Sequence, residues 1–134
     1  MTKEQLCEKA KEAMTRAYAP YSLCKVGAAL LGESGKVYLG CNIENASFSP
    51  TICAERSAFA SAISAGERKF LALAVTGGKN GEIKGAFFPC GVCRQVIREF
   101  CDDAFPIYVL AEEGKIIETT LSGLLPNSFS KDAM

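Results

Sequence analysis

Two short motifs concentrate the reactive side chains of this chain: Cys53-Ala54-Glu55 and Pro89-Cys90-Gly91-Val92-Cys93. The sequence has no histidine. Three cysteines can bind a zinc ion and leave its fourth position open to water. A carboxylate beside such a site is the usual architecture of hydrolytic zinc chemistry. The missing imidazole excludes Ser-His-Asp and Cys-His nucleophile systems and His-ligated metals. Proton transfer near neutral pH then falls to a carboxylate, a thiol, a lysine or metal-bound water.

Helix starts must position these groups. The pattern from Cys53 to Ala65 is helical, with Gly66 as the stop. Cys90 to Phe100 reads as another helix, with Pro89 just before it. Cys53 therefore opens one helix. Cys90 and Cys93 share the first turn of the other, three apart and on one face. Helix N-termini carry about half a positive charge and free N–H groups, which favour thiolates. Glu55 falls in the same first turn as Cys53, within reach of a zinc-bound water without ligating the metal.

The rest of the pattern supplies a scaffold. Leu6, Ala10, Ala13, Met14 and Ala17 recur at helical spacing and predict a first helix from about Lys3 to Tyr18. Ala19-Pro20-Tyr21-Ser22 breaks it. Val26 to Leu31 and Lys36 to Gly40 flank Glu33-Ser34-Gly35 as a hairpin. Gly40 to Pro50 reads as a polar loop and Phe70 to Thr76 as a buried strand. Gly77 to Gly85, with four glycines, reads as a surface loop. Pro106 to Leu110 and Lys115 to Glu118 are short strands, and Thr120 to Leu125 is a short final helix. Helices alternating with strands predict an α/β fold, a three-layer α/β/α sandwich on a five-stranded mixed sheet. The first two strands should be antiparallel, and helical crossovers favour parallel pairing among the later ones. No linker or repeat divides residues 1–134, so a single domain is expected.

Composition narrows the function class. A chain of 134 residues can bury roughly 65–70% of its unfolded surface. Fifteen basic and fifteen acidic residues cancel, which argues against a polynucleotide-binding surface. Met1 to Lys11 is polar and charged, which predicts no signal peptide. No apolar run approaches the ~20 residues of a membrane span. Seven cysteines, an odd number, point to a reducing cytoplasm and to metal or packing roles. Alone, Cys-x-x-Cys also suits a redox dithiol. It also suits half of a structural zinc site, with Cys7, Cys24, Cys41 or Cys101 as the fourth ligand. Buried packing is the preferred reading of those four, because free cysteine behaves as a small hydrophobe.

Together the motifs resemble the zinc deaminase signature, in which x-Glu after a first ligand precedes Pro-Cys-x-x-Cys. The chain resembles the cytidine deaminases, in particular their short homotetrameric class with three cysteine ligands. The resemblance runs from roughly Tyr18 to Phe129. It includes Tyr18-Ala19-Pro20-Tyr21-Ser22, Val26-Gly27-Ala28-Ala29-Leu30 and Gly40-Cys41-Asn42-Ile43-Glu44-Asn45-Ala46. It also includes Cys53-Ala54-Glu55-Arg56 and Pro89-Cys90-Gly91-Val92-Cys93-Arg94-Gln95.

The resemblance implies that Cys53, Cys90 and Cys93 hold one zinc per chain and that Glu55 shuttles protons. It implies that Asn42 and Glu44 bind the ribose 3′-hydroxyl, with Ile43 between them on the pocket wall. Backbone groups at Ala54 would hold the pyrimidine amide edge, and Phe129 would stack on the base in a neighbouring subunit. The implied reaction is hydrolytic deamination of cytidine and 2′-deoxycytidine to uridine and 2′-deoxyuridine, with release of ammonia, in pyrimidine salvage. Arg56 would donate to ligand sulfurs and offset their charge, with Arg94 as a second candidate. Cys24 stands where the family often carries phenylalanine near the base, and Phe48 where tyrosine is frequent. The rival readings are a deaminase of another aminopyrimidine nucleoside, such as blasticidin S, and a non-enzymatic structural zinc module.

Overall fold

Thr2 opens the first helix. Its hydroxyl accepts from the Gln5 N–H, and the Gln5 side chain accepts from the Thr2 N–H. This capping box starts α1 (Lys3–Met14) in the computed structural model, which describes residues 1–134. The helix ends at Met14 rather than at the expected Tyr18. Tyr18 is instead drawn into a bridge with Ile43, and its N–H donates to the Asn42 carbonyl. Pairing with the loop after the hairpin overrides the helical period there.

The expected antiparallel hairpin is present as β1 (Cys24–Gly32) and β2 (Val37–Cys41). With β3 (Phe70–Lys79), β4 (Pro106–Leu110) and β5 (Ile116–Thr120) it forms one mixed sheet in the order β2-β1-β3-β4-β5. Parallel pairing is confined to β3 and β4, which are joined through α3 (Gly91–Phe100). β5 runs antiparallel to β4, because the turn at Glu112–Gly114 is too short for a crossover. β3 runs past Thr76, pairing Gly77, Gly78 and Lys79 with Val26, Lys25 and Cys24. These glycines are strand residues, not the start of the expected surface loop. A Cβ on Gly78 would lie 1.6 Å from the Glu82 carbonyl oxygen, so close backbone approach explains the residue type.

Strand alternation sends Ala28, Leu30, Leu73, Val75, Ile107 and Val109 to one face. There they meet α2 (Ala54–Ser64), α3 and the short α4 (Leu121–Leu124). Ala29, Ala72 and Ala74 face α1 on the other side, giving the three-layer sandwich. Two glycines let helices touch the sheet. A Cβ on Gly27 would lie 2.1 Å from the Ala10 carbonyl oxygen. One on Gly40 would lie 2.3 Å from the Ala54 carbonyl oxygen and 2.4 Å from the Ala58 nitrogen. The first turn of α2 therefore rests directly on β2. No helix is long and apolar enough to cross a membrane.

Phe59 of α2 ties the two cysteine-bearing helices together. Its ring centroid lies 5.1 Å from Phe70 of β3 and 5.7 Å from Phe100 of α3, and it is buried. Phe59→Ala should cost about 3–5 kcal/mol, the usual range for emptying an aromatic core position. Denaturant melts of the purified protein check this. A loss below about 1 kcal/mol would show that the helices are held elsewhere.

Candidate active site

Cys53 and Cys90 occupy the N-cap positions of α2 and α3, and Cys93 lies in the first turn of α3. Neither N-cap thiol is spent on capping its helix. The Cys53–Cys90 and Cys90–Cys93 Sγ separations are 3.8 and 3.5 Å. All three sulfurs lie within 4.8 Å of one another. A tetrahedral zinc with sulfurs at ~2.3 Å requires sulfur spacings of ~3.8 Å, so the donor set fits this ion. Cys7, Cys24, Cys41 and Cys101 stand outside the cluster, which removes the four-thiolate reading.

The surroundings favour thiolate at one sulfur first. The Cys53 thiol is drawn down to about 5, chiefly by a hydrogen bond from Cys93, with a further one from Arg56. Cys93 moves up because it is the partner that keeps its proton. Arg56 Nη2 lies 3.6 Å from Cys53 Sγ and donates to the Thr51 carbonyl at 3.3 Å. Glu55, in the first turn of α2, is buried and enters no ion pair. Burial pushes its carboxyl up to about 7.

A cavity of about 270 Å³ opens beside these groups. That is close to the ~300 Å³ lower end of small-molecule sites. Cys53, Ala54, Glu55 and Cys90 line it, together with Asn42 and Glu44. The Asn42 amide is turned to the edge of β1. Its Oδ1 accepts from the Val26 N–H at 2.9 Å, and its Nδ2 donates to the Cys24 carbonyl at 2.7 Å. One Nδ2 hydrogen and one Oδ1 lone pair remain for a ligand. Glu44 Oε1 accepts from the Tyr21 and Ser22 N–H groups at 3.0 and 3.1 Å, and Oε2 accepts from the Ser22 hydroxyl. These bonds, the Ser22 hydroxyl first, hold the Glu44 carboxyl below the usual carboxylate range.

Residues 1–109 match the family described as the cytidine and deoxycytidylate deaminase zinc-binding region. The chain belongs to that deaminase family. A cytidine deaminase of Sporosarcina psychrophila is 51% identical over 132 residues, covering 98% of this chain and 94% of that protein. The crystal structure of cytidine deaminase from Burkholderia pseudomallei superposes with a TM-score of 0.89 at 46% identity. It covers 96% of this chain and 100% of that one. A blasticidin-S deaminase of Bacillus cereus is 30% identical over 132 residues, covering 96% of this chain and 92% of that protein. The deaminase family and the three-sulfur cluster together give one zinc per chain.

Not every residue expected at the deaminase site lines this cavity. Ile43 pairs its backbone with Ile52 and leaves its side chain outside the lining. Phe129 is 65% exposed on the C-terminal segment, also outside the lining. Phe48 is exposed and meets Tyr21 edge-on at 6.4 Å instead of facing the cavity. Arg94 makes no hydrogen bond to a cluster sulfur; its guanidinium donates to the Pro89 and Leu124 carbonyls. The cavity also has walls that sequence reasoning missed: Ser22, Val26, Thr51, Ile52, Phe87 and Phe88. Two adjacent aromatics directly before Pro89-Cys90 were the available signal for one of those walls.

Proposed function

We propose that residues 1–134 act as one zinc-dependent deaminase domain. It hydrolyses cytidine and 2′-deoxycytidine to uridine and 2′-deoxyuridine with release of ammonia. The observation that carries this reading is a buried, unpaired Glu55 beside a three-sulfur cluster, in one cavity with Asn42 and Glu44. When bound by Cys53, Cys90 and Cys93, zinc supplies a Lewis acid that makes water acidic enough to attack near neutral pH. Glu44 and Asn42 offer an acceptor and a donor to the ribose 3′-hydroxyl. The Ala54 N–H, one of the free donors at the start of α2, offers a hydrogen bond to the pyrimidine amide edge. A Glu55 Oε takes a proton from the attacking water and hands it to the ring nitrogen beside the amino-bearing carbon. The same carboxyl then takes the remaining proton of the added hydroxyl and delivers it to the amino group, so that ammonia leaves as the carbonyl forms. One carboxyl serves as base and acid in turn, so no histidine is needed.

Three thiolates outweigh a divalent cation and blunt its acidity. Arg56 offsets that charge through its contact with Cys53. Arg56→Ala should lower kcat by roughly 10-fold or more, within the range seen when groups behind metal ligands are removed. KM should move less. Unchanged kinetics and zinc content would return Arg56 to a purely structural role.

The same reading makes the protein a homotetramer with shared sites. Tyr18, Tyr21, Ile43, Phe48 and Phe129 are large apolar side chains left open to solvent. Tyr18 bridges to Ile43 and Tyr21 packs on Phe48, so part of this surface is continuous around the loops that line the cavity. Such patches suit a protein partner, here a second copy. Phe129 then stacks on the base in a neighbour's pocket. Light scattering at assay concentration should give a tetramer, and a fully active monomer would refute the shared site. Seven free thiols suit a reducing cytoplasm.

An ultraviolet assay with cytidine, deoxycytidine, cytosine and blasticidin S tests the activity directly. The nucleosides should turn over and free cytosine should not. Turnover of blasticidin S without cytidine would favour the rival substrate. Stoichiometric zinc with no turnover of any substrate would leave a structural module.

A further inference from the structure

α3 carries a candidate zinc ligand and also holds the C-terminal segment. Directly after Cys93, Arg94 Nε donates to the Pro89 carbonyl and Nη1 to the Leu124 carbonyl, each at 2.7 Å. The next residue, Gln95, donates from Nε2 to the Phe129 carbonyl at 2.9 Å. Leu124 closes α4, and the chain then turns through Pro126 and Asn127, the latter at φ 53. Asparagine tolerates that left-handed conformation better than most residues. The segment from Leu124 to Phe129 is thus pinned at both ends by consecutive residues of one helix. Arg94 also fixes the residue immediately before Cys90.

We infer that Arg94 and Gln95 are positioning residues that set the place of Phe129 from the helix bearing Cys93. This inference rests on the reading that Phe129 completes a neighbouring copy's pocket. The Phe129 ring joins no aromatic pair of its own chain and is exposed, while its carbonyl is held by Gln95. Ordering the segment before the substrate arrives removes an entropic cost from binding. The same guanidinium also links the loop before Cys90 to the base of the segment that presents Phe129.

A double-mutant cycle on the full chain tests this, reading KM, kcat and zinc content with cytidine. Gln95→Ala should raise KM about three- to tenfold, the scale of one lost hydrogen bond, with kcat and zinc content unchanged. In a Phe129→Ala background the same change should add nothing, because the two residues act as one unit. Arg94→Met should raise KM similarly and also speed zinc loss to a chelator, with Arg94→Lys recovering part of both. If Phe129→Ala leaves KM unchanged, the shared-pocket reading falls and the clamp falls with it. If Phe129→Ala raises KM but Gln95→Ala does not, or the two effects multiply, the shared pocket stands and the clamp is wrong.

Discussion

Glu55→Gln should give a protein that keeps its zinc and turns over at least ~10²-fold more slowly, the lower scale for general acid–base catalysis. The amide preserves the shape but takes no proton at neutral pH. No other group in the cavity is placed to substitute. Glu44, the other carboxylate of the lining, already accepts from Ser22 and Tyr21. The variant should melt no lower than the parent, because a buried ionisable group without an ion pair costs stability. Metal analysis, a thermal melt and the ultraviolet assay read the three quantities on one sample. A zinc-loaded variant with near-normal turnover would overturn the assignment of Glu55.

Loss of a sulfur should be as damaging by a different route. Cys93→Ala leaves two thiolates and should weaken zinc binding beyond the ~10–100-fold that changes behind the ligands produce. Turnover should then fall to background at limiting zinc. Cys93 is buried, so the variant also disturbs packing. Cys90→Ser sits at the exposed end of the cluster and separates the two effects. It should lose zinc while keeping its fold. Chelation of the parent protein should abolish activity and added zinc should restore it. A Cys93→Ala protein that binds one zinc tightly and deaminates cytidine would refute the three-sulfur site.

The cluster was legible in the sequence because its geometry is local. Pro89 before Cys90 marks a helix start, and a three-residue step puts Cys93 on the same face. The open question was which elements would meet. The structure answers it by resting α2 on β2 and packing Phe59 edge-on against Phe70 and face to face with Phe100. Element ends were less legible where long-range pairing competes with local pattern. Ala17 continues the period of α1, yet Tyr18 is claimed by Ile43. Gly77 and Gly78 have the composition of a loop, yet they pair with β1, and they are glycines because neighbouring atoms leave no room for a Cβ. The pocket walls were the least legible part. Thr51, Ile52, Phe87 and Phe88 have no periodicity, and only the fold brings them to one cavity.

Gly40 carries a consequence for how readily this pocket can be remodelled. It does not line the cavity, yet the contact of its backbone with α2 sets how far Ala54 and Glu55 stand from the sheet. Its tolerance to change is therefore nearly nil, while Cys24, whose side chain makes no hydrogen bond, can vary at the wall. A mutational landscape of the enzyme should show an intolerant position behind the pocket, one that inspection of the substrate's neighbours alone would not reveal. Any variant there would change reach and selectivity together, through the seat of the helix and not through a contact with the nucleoside.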